Sequence, residues 1–149
     1  FKQKTAYEIP KRDWSSDVCS SDLATNSSGI NRVYVVAPSS SDHRLSMVTG
    51  ACSGFVYAAS LMGVTGARTT LSSAASELVA RLRRVTNLPI AVGLGVSNPA
   101  QASEVAQYAD GVIVGSAFIK LVLESANLDE AIPKVRELAE QLSTGVRTL

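Results

Sequence analysis

From residue 33 onward, short apolar runs alternate with stretches whose apolar positions recur every three or four residues. Val33-Tyr34-Val35-Val36 is a β-branched run ended by Ala37-Pro38 and a serine cluster, which predicts a buried strand and then a loop. Ser41 or Asp42 is placed to cap a helix through Leu45 and Val48. Phe55-Val56-Tyr57-Ala58-Ala59 is the second predicted strand. A glycine-punctuated loop through Gly63, Gly66 and Thr69 leads to a helix with Leu78, Val79, Leu82 and Val85 on one face. Pro89-Ile90-Ala91-Val92-Gly93 is the third strand, with proline tolerated at its start. Asn98 caps the next helix, Pro99 takes its first turn, and Gln101 stands at the capping-box position. Its apolar stripe is Ala102, Val105, Ala106 and Ala109. Val112-Ile113-Val114 is the fourth strand, followed by Gly115-Ser116 and a short helix starting near Ala117 and running through Leu123. A last amphipathic helix aligns Val135, Leu138, Ala139 and Leu142, with Pro133 in its first turn.

These are four βα units within residues 24–149. Fully apolar strands alternating with helices call for a parallel sheet covered by helices. Two architectures satisfy that pattern, an open doubly wound sheet and half of an eight-stranded barrel. Spacing alone does not separate them.

Residues 1–23 fit neither a helical nor a strand template. The strings KQKTAYEI and DWSSDVCSSDL match the translation of common sequencing-library adapter DNA, with Pro10-Lys11-Arg12 where a variable index would fall. The segment is therefore read as an adapter-derived artefact, disordered, which removes Trp14 and Cys19 from the functional argument. It carries equal numbers of acidic and basic side chains, so the net charge of +1 is unaffected. That charge excludes a field favouring nucleic acid or an anionic membrane. No apolar run approaches the roughly 18 residues that span a bilayer. Cys19 and Cys52 have no metal-ligand spacing, so neither a disulfide framework nor a zinc site is expected, and the expected compartment is the reducing cytoplasm. Cys52 reads as a small buried residue, His43 as a surface residue.

The candidate chemistry lies in glycines. Gly63-Val64-Thr65-Gly66, Gly93-Leu94-Gly95 and Gly115-Ser116 each follow a predicted strand. Glycine lets backbone N–H groups approach an anion, and a helix N-terminus adds a favourable dipole. Tight βα turns would need the same glycines, and one Gly-x-Gly is weak by itself. Two such turns on adjacent strand ends, one with a hydroxyl, favour phosphate. There is no Walker lysine, and Gly93-Leu94-Gly95 lacks the third glycine of a dinucleotide fingerprint.

The strings FVYAASLMGVTGAR (residues 55–68), PIAVGLGVSNPAQ (89–101) and GVIVGSAFIK (111–120), with VYVVAPSSSD (33–42), resemble the tryptophan synthase alpha chain family in order and spacing. The GVTGA loop is the most specific piece and argues against other phosphate-binding barrels, such as histidine- or thiamine-pathway enzymes. The resemblance implies the C-terminal half, strands five to eight, of a (β/α)8 TIM barrel. It implies a lyase that cleaves indole-3-glycerol phosphate to indole and glyceraldehyde 3-phosphate, without a cofactor of its own. Pyridoxal phosphate would belong to a partner beta subunit. Tyr57 then matches an indole-pocket residue, and Thr65 and Gly66 match a mobile loop over substrate. Gly95, Gly115 and Ser116 match phosphate contacts, and Leu94 stands where the family often has an aromatic.

The family's catalytic glutamate and aspartate come from strand two and its loop, so none is expected here. Asp42 reads as a helix cap, Asp110 as a turn, and Glu77 and Glu104 as solvated helix positions. The chain is expected to be catalytically inactive and poorly folded alone, because half a barrel leaves its first and last strands unpaired. Another reading of the same pattern is a non-catalytic phosphate-binding half-barrel that serves as a binding or assembly module.

Overall fold

A computed structural model of the chain describes residues 25, 27–59, 69–93 and 95–147. The chain divides into two units, residues 1–31 and 32–149. In the first, the described part is a helical turn in which the Ile30 N–H donates to the Thr25 carbonyl at 3.1 Å. The segment 1–23, read above as adapter-derived, lies outside the described residues.

In the second unit the apolar runs form strands and the periodic stretches form helices. The order is β1 (Val35–Val36), α1 (Asp42–Ala51), β2 (Val56–Ala59), α2 (Thr69–Arg83), β3 (Ile90–Gly93), α3 (Pro99–Ala106), β4 (Gly111–Ile113), α4 (Ser116–Leu123) and α5 (Leu128–Arg147). The strands pair in the order β1-β2-β3-β4, all parallel. That order separates the two architectures. A doubly wound sheet reverses its strand order at a switch point, whereas crossovers of one hand that always step the same way put every helix on one face. The described strands are a barrel segment.

The two faces of the sheet differ accordingly. Val36, Val56, Ala58, Ile90 and Val92 are buried, and they join one core with Leu45 of α1, Leu78 and Leu82 of α2, and Val105 of α3. Burying an aliphatic side chain of this size contributes about 1.5–3 kcal/mol. The register places Val35, Tyr57, Ala91 and Gly111 side by side on the opposite face. There Val35 is 60% exposed.

Capping follows the local sequence. Ser41 accepts from the Arg44 N–H and so caps α1, with Asp42 in the first turn. Asn98 accepts from the Gln101 N–H, while the Gln101 carboxamide oxygen accepts from the Ser97 N–H. Two boundaries differ from the periodicity. α2 ends at Arg83, because Val85 and Thr86 turn back to donate to the Leu82 carbonyl, leaving Val85 exposed. α5 begins at Leu128, because Asn127 accepts from the Glu130 N–H and Glu130 accepts from the Ala126 N–H. Pro133 therefore falls in the second turn rather than the first. It is exposed there, where water can take the carbonyl its missing N–H leaves unbonded.

One carboxylate ties three elements together at the N-terminal edge of the sheet. Asp110 Oδ2 accepts from the Ile90 N–H at 2.7 Å and lies 2.6 Å from the Arg83 guanidinium. The Asp110 N–H donates to the Ile90 carbonyl in return. The Arg83 guanidinium and the Ile90 N–H hold this carboxyl below its ordinary range. A depressed carboxyl contributes stability above its unfolded pKa of about 3.9 and loses it as pH falls through the folded value. Asp110→Ala should therefore destabilise the fold by about 1–3 kcal/mol at neutral pH. The difference from the parent should shrink below about pH 3.9, as read from urea midpoints across pH. An unchanged difference at acid pH would exclude the ionic part of this account.

Packing of α3 on α5 relies on a glycine. A Cβ on Gly145 would stand 2.6 Å from the Pro99 carbonyl oxygen. Gly145→Ala must then force the helices apart, a loss of about 1–3 kcal/mol in thermal or denaturant unfolding. A neutral effect would show that the two helices can separate freely.

Candidate functional site

The C-terminal ends of β3 and β4 carry three of the residues singled out in the sequence, and the open face of β2 carries a fourth. Tyr57 lies on the open face of β2, beside Ala91 of β3. Gly95 and Gly115 each stand two residues beyond the paired positions Gly93 and Ile113. Both therefore follow the ends of adjacent strands. Ser116 begins α4 immediately after Gly115. Thr65, Gly66 and Leu94 lie outside the described residues.

Local conformation explains why these positions are glycines. Gly95 adopts φ +83°, the left-handed region that a side chain strains. A Cβ on Gly115 would meet nothing within 4 Å, so the space before α4 is open. Ser41, Asn98 and Asn127 close the starts of α1, α3 and α5, whereas no side chain caps α4. An uncapped first turn leaves donors directed at whatever occupies that space.

Tyr57 has a seat that the sequence did not reveal. A Cβ on Gly93 would lie 2.8 Å from Tyr57 Oη and 2.8 Å from Ile113 Cβ. The tyrosine ring thus crosses β3 over a residue without a side chain. The strand pattern marked Gly93 only as the start of a turn.

The carboxylates are committed elsewhere. Asp42 Oδ1 accepts from Arg81 Nε at 2.8 Å, and Arg81 also donates to the carbonyls of Pro38 and Ser40. This clamp fixes the loop after β1, and nothing in the spacing of Arg81 distinguishes it from a solvated helix position. Asp110 works at the opposite edge of the sheet, and Glu77, Glu104 and His43 are exposed. Cys52 is buried, and that burial pushes its thiol upward. Among the described residues no group of three or more His, Cys, Asp or Glu side chains could hold a metal ion. No helix among them is long and apolar enough to cross a membrane.

Two further clefts have described walls. One of about 510 Å³ lies at the N-terminal edge, between Thr49, Cys52, Arg84 and Asn87. The other, about 290 Å³, lies between β4 and the helices around Phe118 and Leu142. Neither includes a candidate site residue.

The sequence profile of the tryptophan synthase alpha chain family matches residues 15–147. The chain belongs to that family. The match starts inside the 1–23 segment that the adapter reading sets aside. The alpha chain of Streptomyces avermitilis is 58% identical over 119 residues, covering 80% of this chain and 43% of the relative. That of Thermobifida fusca is 54% identical over 127 residues, covering 83% and 47%. A crystal structure of tryptophan synthase from M. tuberculosis superposes with a TM-score of 0.73 at 47% identity, covering 86% of this chain and 46% of that one. A mutant alpha-subunit from Pyrococcus furiosus gives 0.68 at 31% identity. The chain thus spans about half the length of the curated relatives it matches, and its four parallel strands align with about half of the family's TIM barrel. The alpha-chain family uses no cofactor, pyridoxal phosphate being held by the beta subunit.

The seat of Tyr57 generates a test. Gly93→Ala should destabilise the chain by about 1–3 kcal/mol through overlap with the ring and with Ile113. Adding Tyr57→Ala should recover the ring's share of that loss, a coupling that a double-mutant cycle of unfolding free energies measures. Strict additivity would mean the ring does not occupy this position.

Proposed function

We propose that this chain is the phosphate-binding half of an indole-3-glycerol-phosphate lyase. The observation that carries the reading is the uncapped start of α4 beside the left-handed turn at Gly95, on adjacent strand ends. Backbone N–H groups at Gly95, Gly115 and Ser116, with the Ser116 hydroxyl, would donate to the phosphate, and the α4 dipole would favour its charge. Tyr57 would flank the indole, with Leu94 near it. Thr65 and Gly66 would belong to the loop that closes over substrate. The rest of the machinery would come from the other half of the barrel, including the glutamate and aspartate that exchange protons as the carbon–carbon bond breaks.

Family membership supports this assignment, and so does the commitment of Asp42 and Asp110 to structural contacts. The whole protein would work in the cytoplasm with a beta subunit as partner. This chain alone would turn over no substrate. Residues 1–23 would take no part in the site, so their removal should leave anion affinity unchanged.

Titration of the chain with inorganic phosphate, followed by amide chemical shifts, tests the site. The amides of Gly95, Gly115 and Ser116 should respond first. Ser116→Ala should weaken binding about tenfold, the loss of one hydrogen bond to a charged group (about 1.5 kcal/mol). Shifts confined to other regions would remove the site. Measurable release of indole from indole-3-glycerol phosphate by the isolated chain would remove the division of labour.

A further inference from the structure

The chain is anchored on both sides of Gly95. Before it, Gly93 closes β3, paired to Ala59 on one side and Ile113 on the other. After it, Val96 is buried in the core. Ser97 is exposed and lies outside every helix and strand. Its backbone N–H nevertheless donates to Gln101 Oε1 at 2.9 Å, and its hydroxyl donates to the same oxygen at 3.2 Å. Gln101 is itself held in place, because its own N–H donates to Asn98 Oδ1 at 3.0 Å and the adjoining Ala102 is buried.

We propose, resting on the phosphate reading of this edge, that Gln101 is a positioning residue: by holding Ser97 it sets the direction in which the Gly95 turn offers its N–H to an anion. Glycine populates positive and negative φ about equally, so the residue alone does not fix the +83° at Gly95. What fixes it is the hold on the chain at either side. A donor already aimed when the ligand arrives binds more tightly than one that must be ordered on binding. Gln101 donates nothing to the phosphate and acts through the turn alone.

Helix capping by itself uses the same contacts at α5. There Asn127 accepts from the Glu130 N–H, and Glu130 Oε2 accepts from the Ala126 N–H, each at 3.0 Å. The difference lies in what the held residue adjoins. Ala126 follows the end of α4, with no candidate site residue beside it, whereas Ser97 stands two positions after Gly95. The two boxes therefore separate a stabilising role, which both have, from a positioning role that belongs to Gln101.

Hydrogen exchange and phosphate titration of the full chain, both followed at single amides, test the proposal. In the unsubstituted chain the Ser97 amide should exchange more slowly than in an unfolded chain, by about tenfold or more. Gln101→Ala should abolish that protection and weaken binding of inorganic phosphate about fivefold, since the turn must then be ordered on binding. Gln101→Glu keeps the accepting oxygen and should keep the Ser97 protection. Glu130→Ala should lower the unfolding midpoint about as much as Gln101→Ala but leave phosphate affinity unchanged. Rapid exchange at Ser97 in the unsubstituted chain, or loss of its protection in Gln101→Glu, overturns the proposal with no ligand present. Equal weakening of phosphate by the two alanine variants also overturns it, because the effect would then be one of stability. Unchanged affinity in Gln101→Ala, beside clear binding by the unsubstituted chain at Gly95, Gly115 and Ser116, removes the role of Gln101 and leaves the phosphate reading standing. No response of those three amides in the unsubstituted chain removes the phosphate reading, and the role of Gln101 with it.

Discussion

Every feature of the described fold depends on four parallel strands burying one face under their helices. Val36, Val56, Ala58, Ile90 and Val92 alternate with residues on the opposite face, and Leu45, Leu78 and Leu82 close over them. Parallel strands need long crossovers, and right-handed crossovers that step in one direction deliver each helix to the same side. The sheet is left with a covered face and a bare one. The bare face holds Tyr57, and the C-terminal edge of the sheet holds the glycine turns.

The two edges of the sheet do different work. At the N-terminal edge Asp110, Arg83 and the Ile90 N–H form a charged clamp that fixes the starts of β3 and β4. At the C-terminal edge the Gly95 turn and the uncapped start of α4 remain open. Among the described helix starts, those at Asp42, Pro99 and Leu128 are capped by a neighbouring side chain, whereas the one at Ser116 is not. A donor set without a local acceptor suits an anion. Under the proposed function, that donor set would hold the phosphate and the tyrosine would line the ring of the substrate.

The same geometry that builds the site also leaves it open. Among the described residues Val35, Ile119 and Leu123 are exposed at the two margins of the sheet. In the family the remaining half of the barrel would meet those margins.

The sequence by itself determined the elements, because periodicity and capping are local properties. The β-branched run at Val35-Val36, the Asn98-Pro99-Gln101 start and the apolar stripe through Leu142 can be read without tertiary knowledge. So could the glycine turns and the family likeness carried by the GVTGA loop. The Asn127–Glu130 capping box was equally legible, and overlooking it misplaced Pro133. Spacing left the doubly wound sheet open and the family likeness implied the barrel segment; tertiary structure then supplied the sequential strand order that separates them, through pairings between residues far apart in sequence. It alone seated Tyr57 over Gly93, bound Arg81 to the loop after β1, and directed Asp110 to Ile90 and Arg83. Each of these contacts joins groups separated by some 20 to 40 residues. No local periodicity encodes a meeting at that range, because it arises only once the parallel register has been set.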